Sequence, residues 1–415
     1  MEPKSTALLP FGAELRSDGA VSFRVWAPRR SRVEAIIGNS DDASNQKNLA
    51  IELRPEENGY FSGHVAEATA GMTYRYRLDG DSYPYPDPAS RFQPQGPHGP
   101  SEIIDPAKFQ WTDQSWGGVS SEGNVIYEMH IGTFTRDGTW EAASRELKEL
   151  GDFGITVIEV MPIADFPGRF GWGYDGVNLF APTRLYGRPD DFRRFVDRAH
   201  AAALGVILDV VYNHLGPDGN YLGQFSEDYF TDRYHCEWGA AINFDGPNCS
   251  PVREYFLANA AYWIREFHVD GLRLDATQQI YDGSSDHILL IVGENEPQKV
   301  KFILPEQRSG YGIDTLWNDD FHHSAMVAMT GRADAYYSDY RGSPQEFISA
   351  IKWGYLYQGQ LYSWQKQRRG TPSFNLPPKK FVNYIQNHDQ LANSGSGQRC
   401  HDLTSPSRYR AVTTL

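Results

Sequence analysis

DDFRRFVDRAHAAALGVILDVVYNH, residues 190–214, contains one complete structural repeat. Phe192, Phe195, Val196 and Ala199 fall at i, i+3, i+4 and i+7, which is one face of an α-helix, and Asp190 stands where a helix cap belongs. The helix should end by Gly205. The run VILDVVY that follows is apolar at odd and even positions alike, so both faces of the strand are buried, as in a parallel sheet covered by helices. Polar Asn213 and His214 come directly after it.

The same order recurs in both directions along the chain. A helical face over Trp140 to Leu150 stops at Gly151 and leads into the strand Thr156 to Val160. Phe256, Ala260, Trp263, Ile264 and Phe267 form a third face, ahead of DGLRLDA. Strands are expected at Val125–Ile131, Ile155–Val160, Val206–Val211, Gly271–Asp275, Ile288–Val292, Ile313–Trp317 and Phe381–Gln386. No glycine-rich phosphate loop opens any helix, while polar residues cluster after each strand. That combination favours an α/β fold built as a (β/α)8 TIM barrel over a doubly wound nucleotide-binding sheet. About seven strands can be counted, so the barrel reads as incomplete over 106–415, with a long loop insertion at about 213–248.

Residues 1–105 have a different pattern. Short runs at Val21–Trp26, Val33–Ile37, Tyr60–Val65 and Thr73–Leu78 alternate with turn clusters such as SDG and EENG, the spacing of an immunoglobulin-like β-sandwich. Six prolines between 82 and 102 forbid helix interiors and central strands, leaving a linker or a packed collar.

Composition limits the partners. With 39 Lys plus Arg against 53 Asp plus Glu, the formal charge of −14 repels phosphate backbones and anionic lipid, so neither nucleic acid nor a membrane is expected as a partner. Three cysteines cannot build a disulfide framework and suit a reducing, cytoplasmic setting. HExxH, CxxC and GxSxG are all missing, so no metal and no organic cofactor are implied.

Four strand ends carry the chemistry. The third strand ends DVVYNH, with Asp209 and His214; the fourth ends GLRLDA, where Arg273 and Asp275 share a face; the fifth leads into GENE, with Glu294 and Glu296; and the seventh leads into NHD, with His388 and Asp389. Any single Asp of this kind usually caps the next helix. Carboxylates at consecutive barrel mouths repel one another unless chemistry requires them, and an acid, a nucleophile and a charge stabiliser are what glycoside hydrolysis needs.

These four segments, in this order, resemble the signature regions of the α-amylase family of glycoside hydrolases. VIYEMHIGTFT, GRFGWGYDGVNLFAP, WNDDFHHSAM and FVNYIQNHDQLANS further resemble the members that release trehalose from the end of maltooligosyltrehalose, and FRVWAP (23–28) is similar to their amino-terminal sandwich. The resemblance implies maltooligosyltrehalose or a related α-glucan as substrate, with Asp275 as nucleophile, Glu294 as proton donor and Asp389 as transition-state stabiliser. It implies sugar contacts from His130, Tyr174, His214 and His388, with Asp209 organising the same site and Arg273 keeping the nucleophile ionised. Asn318, Asp319, Phe321 and His322 are candidates for the trehalose side of the cut, and Trp172, Trp238, Trp317 and Trp353 for stacking platforms.

Alternatives of other kinds are a branching or debranching enzyme of the same family and a catalytically impaired glucan-binding fragment. Two departures from the family pattern motivate the last. Only Ala276 to His287 remain for the crossover after Asp275, and the chain stops at Leu415, where an eighth strand and a carboxy-terminal β-domain are expected to follow.

Overall fold

The computed structural model describes residues 10–38, 48–120, 122–284, 288, 292–308 and 310–415. They fall into two compact units, Met1–Arg273 with Gln279–Ile288, and Leu274–Gln278 with Leu289–Leu415.

In the first unit, residues 10–102 form two antiparallel four-stranded sheets. One has the order Gly12–Leu15, Val21–Trp26, Tyr60–Val65, Arg54–Pro55; the other has Leu49–Glu52, Val33–Gly38, Thr73–Leu78, Ser101–Glu102. Alternate residues Val21, Phe23 and Val25 of one sheet and Val33, Ala35 and Ile37 of the other are buried, and Phe23 meets Tyr74 edge-on at 5.1 Å between ring centres. The proline-rich stretch is a packed collar: Asp87, Ser90, Arg91 and Gln93 are buried within it, and Pro88 accepts a hydrogen bond from Tyr255 Oη at 2.7 Å.

The parallel strands of this unit are β1 (Ile126–Met129), β2 (Val157–Val160), β3 (Gly205–Val210) and β4 (Gly271–Leu274). Val157 pairs with Ile126 on one side and Gly205 on the other, and the N–H of Asp270 bonds to the Val206 carbonyl at 2.7 Å. In the second unit β5 (Val292–Gly293), β6 (Leu316–Asn318) and β7 (Phe381–Asn383) are again parallel, with Gly293 opposite Leu316 and Trp317 opposite Val382. Residues 289–291 of the strand expected at Ile288–Val292 lie outside the described residues.

Local boundaries shift for identifiable reasons. The helix Pro189–Ala201 is capped at Arg188, whose N–H donates to the Asp191 carboxylate at 2.8 Å, so Asp190 is not the cap; the chain turns at Ala203 (φ 58°), before Gly205. The expected single helix from Trp140 is two, Trp140–Arg145 and Leu147–Asp152, and the second runs through Gly151 to a turn at Gly154. In the helix Cys249–Phe267, Tyr255, Asn259 and Tyr262 share the buried face with Phe256, Trp263 and Phe267, which leaves Ile264 beyond its edge and exposed. Strand β6 begins at Leu316, three residues later than expected, with Ile313 buried in the approach to it.

Candidate active site

Strand β3 places Asp209 in the interior, and in the first unit it is the organising group. Arg273 Nη1 donates to both of its oxygens, at 2.9 and 2.8 Å, with both side chains wholly inaccessible to solvent. Tyr174 Oη adds a third bond at 2.6 Å. The turn that delivers Tyr174 needs Gly173, because φ is +91° there and a Cβ would stand 2.0 Å from the Pro162 carbonyl oxygen.

His130 follows β1. Its Nδ1 pairs with Thr133 Oγ1 at 2.9 Å, and its Nε2 lies 3.0 Å from the Gly171 carbonyl and 2.9 Å from Tyr186 Oη. Burial pushes its pKa below the usual histidine range, so the ring is neutral near pH 7. His214 is buried after β3, with Nδ1 on Asn213 Oδ1 and its ring 5.3 Å from the exposed ring of Trp238.

The three acids all lie in the second unit. The N–H of Glu294 bonds to the Leu274 carbonyl at 3.0 Å, its own carbonyl accepts the Thr277 N–H at 3.0 Å, and its Oε2 lies 3.4 Å from the Ala276 N–H. The residues on either side of Asp275 are thus bonded to Glu294, and Asp275 itself is buried. Asp389 opens the helix His388–Asn393, its N–H held by Asn387 Oδ1 at 3.0 Å and its carboxylate 3.5 Å from His388 Nε2. In the same unit, burial first, and then the negative charges of Asp319, Glu294 and Asp389, hold the phenol of Tyr384 well above the ordinary range.

The group after β6 separates. Asn318 is fully buried, caps the next helix through Phe321 N–H at 3.4 Å and donates to Asn383 Oδ1 at 2.8 Å. Phe321 belongs to the core with Met326, Met329 and Phe347. His322 is buried between the Ile385 carbonyl and Tyr337 Oη, and burial pushes its pKa down to about 4. All three thus have packing or capping partners within the protein. Asp319 retains a polar setting: Tyr384 Oη donates to it at 2.7 Å and Arg369 Nη2 at 3.3 Å, while burial raises its pKa to about 6. Of the tryptophans, Trp317 is buried against Tyr384 at 5.2 Å, whereas Trp238 and Trp353 are exposed. Among the described residues no group of His, Cys, Asp or Glu is arranged to hold a metal ion.

Sequence reading missed Arg369 and Tyr384. Tyr384 shares the period-two spacing of Tyr384, Gln386 and His388, which was a usable signal; nothing local marks Arg369.

Residues 10–106 match the family described as carbohydrate-binding module 48 (isoamylase N-terminal domain), and residues 103–250 match the alpha amylase catalytic domain. The malto-oligosyltrehalose trehalohydrolase of Saccharolobus solfataricus is 42% identical, over 98% of this chain and 72% of its own length. That of Deinococcus radiodurans is 42% identical over 98% of this chain and 66% of its own. The chain therefore spans about two thirds of these relatives. A crystal structure assigned to an alpha amylase from Salmonella typhimurium superposes with a TM-score of 0.89 at 37% identity, covering 98% of this chain and 70% of that one. A branching enzyme from Aliivibrio fischeri is 33% identical over only 62% of this chain.

Proposed function

The chain belongs to the malto-oligosyltrehalose trehalohydrolases of the α-amylase family, and we propose that it hydrolyses the α-1,4-glucosidic bond next to the terminal trehalose of maltooligosyltrehalose, as a step of trehalose biosynthesis, with Asp275, Glu294 and Asp389 as its catalytic groups. The observation that carries the residue assignment is the pairing of Glu294 with the backbone around Asp275, Leu274 and Thr277 included. It supports the assignment of Glu294 as acid to Asp275, because the backbone on both sides of Asp275 is bonded to Glu294.

Glu294 protonates the glycosidic oxygen while a carboxylate oxygen of Asp275 attacks the anomeric carbon, so the C–O bond to trehalose breaks and a glycosyl ester on Asp275 forms. Glu294, now ionised, takes a proton from water, which displaces Asp275 and releases the maltooligosaccharide with retained configuration. Asp389 stabilises the positive charge that develops on the sugar in both steps. We assign to sugar binding Asp209, Arg273, Tyr174, His130 and His214 of the first unit and Asn318, Asp319, Phe321, His322 and His388 of the second, and Trp238 offers an exposed ring for stacking. We assign 1–105 to the sandwich and 106–415 to the barrel, with the 213–248 insertion; the family matches meet within 103–106. Three free cysteines suit a cytoplasmic setting, and no described helix is long and apolar enough to cross a membrane.

The test is product analysis on maltotriosyltrehalose. Trehalose and maltotriose are expected, with plain maltohexaose cut far more slowly. Transferred α-1,6 branches would move the assignment to a branching enzyme.

A further inference from the structure

Two residues beyond Glu294, the Glu296 carboxylate accepts from Arg369 Nη1 at 2.8 Å and from Gln365 Nε2 at 2.7 Å. The backbone repeats the attachment: Gly370 N–H donates to the Pro297 carbonyl and Thr371 N–H to the Gln298 carbonyl, both at 3.2 Å, and Val300 N–H donates to Thr371 Oγ1 at 2.8 Å. The segment 296–300, which follows Glu294, is therefore stitched to 365–371.

Arg369 sits at the centre of this seam, with 3% of its side chain exposed. Besides Glu296 it faces Asp319 Oδ2, 3.3 Å from Nη2, and Asp320 Oδ1, 3.7 Å from Nε, and its guanidinium lies 5.1 Å from the ring centre of Tyr362. Asp320 is committed to Tyr340 Oη at 2.6 Å and to the N–H groups of Leu356 and Tyr357 at 2.8 Å. Asp319 accepts from Tyr384, the phenol that also feels the charges of Glu294 and Asp389. The other titratable neighbours are Tyr340, Tyr355, Tyr357 and Tyr362, whose phenols burial holds above the ordinary range, and His323, which burial, His322 and Arg369 together keep neutral. One buried cation thus serves three carboxylates, and it reaches the proton donor by two routes, the chain through Glu296 and the charge path through Asp319 and Tyr384.

We propose that Arg369 is a positioning residue for the proton donor: it fixes the segment that carries Glu294 and offsets the negative charge of Glu296, Asp319 and Asp320 around it. The inference rests on Glu294 being the donor. Loss of a neighbouring cation raises a carboxyl pKa, and a shift of about 1 Å in a reacting group costs on the order of 10²-fold in rate.

The experiment compares Arg369→Met, Arg369→Lys and Glu296→Gln in the whole chain, reading kcat and KM on maltotriosyltrehalose against pH and amide hydrogen exchange over 294–300. Arg369→Met is expected to lower kcat about tenfold or more with KM within about threefold, to move the alkaline limb of the pH profile upward and to speed exchange over 294–300. Arg369→Lys should return the limb toward its original position while recovering only part of the rate, since an ammonium cannot span three carboxylates as a guanidinium fork does. Glu296→Gln, which removes a negative charge at little risk to folding, should speed the same exchange and move the limb downward. An Arg369→Met protein that melts earlier but keeps the original pH profile and exchange would overturn the proposal, leaving Arg369 a packing residue. Should that variant fail to fold, unchanged exchange and an unmoved limb in Glu296→Gln overturn it instead. Absence of trehalose release by the unaltered chain would refute the functional reading, and exchange over 294–300 would still decide the clamp.

Discussion

The N–H of Glu294 donates to the carbonyl of Leu274 at 3.0 Å, which sets the proposed proton donor beside the residue that precedes the proposed nucleophile. One backbone hydrogen bond thereby fixes the relative height of two carboxylates that lie 19 positions apart in the chain.

From that register follows our proposal that Glu294, and not Glu296, is the acid. Glu294→Gln should cost on the order of 10²- to 10⁴-fold in turnover, the range for a lost general acid. Glu296→Gln should cost only a few-fold, because that side chain is committed to Arg369 and Gln365. Steady-state kinetics on maltotriosyltrehalose checks both, and greater damage from Glu296→Gln would reverse the assignment.

Asp209 and Arg273 are both inaccessible to solvent, so removing one charge strands the other. Asp209→Ala should destabilise the protein by on the order of 3–5 kcal/mol, as measured by denaturant unfolding. Tyr174→Phe, which removes one hydrogen bond to the same carboxylate, should cost about 1 kcal/mol. Equal effects from the two would show that Asp209 is not the centre of the cluster.

His200 pairs with Asp113 at 3.0 Å and Asp270 at 3.2 Å, beneath the stacked ring of Trp116, and Asp113 also takes His268 at 2.8 Å. Burial works against the charged ring, but the two carboxylates outweigh it, and the pKa of His200 rises above its ordinary 6.5. A raised histidine contributes its full stability below the unfolded value and loses it as pH climbs through the folded one. Denaturation midpoints should therefore decline above pH 6.5, and His200→Gln should remove that decline.

His322 acts with the opposite sign. Its folded pKa lies near 4, so between 6.5 and 4 the unfolded chain binds more protons and stability falls as pH falls. His322→Gln should flatten this acid-side loss. The two histidines lie in different compact units, so the effects should be separable by tryptophan and tyrosine probes local to each.

Much of this protein was written locally. Short β-rich runs between turn clusters marked the strands Val21–Trp26, Tyr60–Val65 and Thr73–Leu78 to the residue, since turn residues interrupt a strand whatever it pairs with. The helix and strand repeat gave the parallel strands within a few residues, and GLRLDA, GENE and NHD supplied the acids we propose. Other assignments depended on packing between distant segments. Asn318, Phe321 and His322 meet Asn383, Phe347 and Ile385, residues 26 to 65 positions away, and no local pattern foretells those contacts. Arg369 is the clearest case. In the sequence it is one more basic residue in QKQRRG; buried against Glu296, Asp319 and Asp320, it becomes the cation of a carboxylate cluster. Periodicity reports which face of an element is apolar, because burial is a property of the element, whereas a charge acquires its role from the opposite charges that folding brings to it.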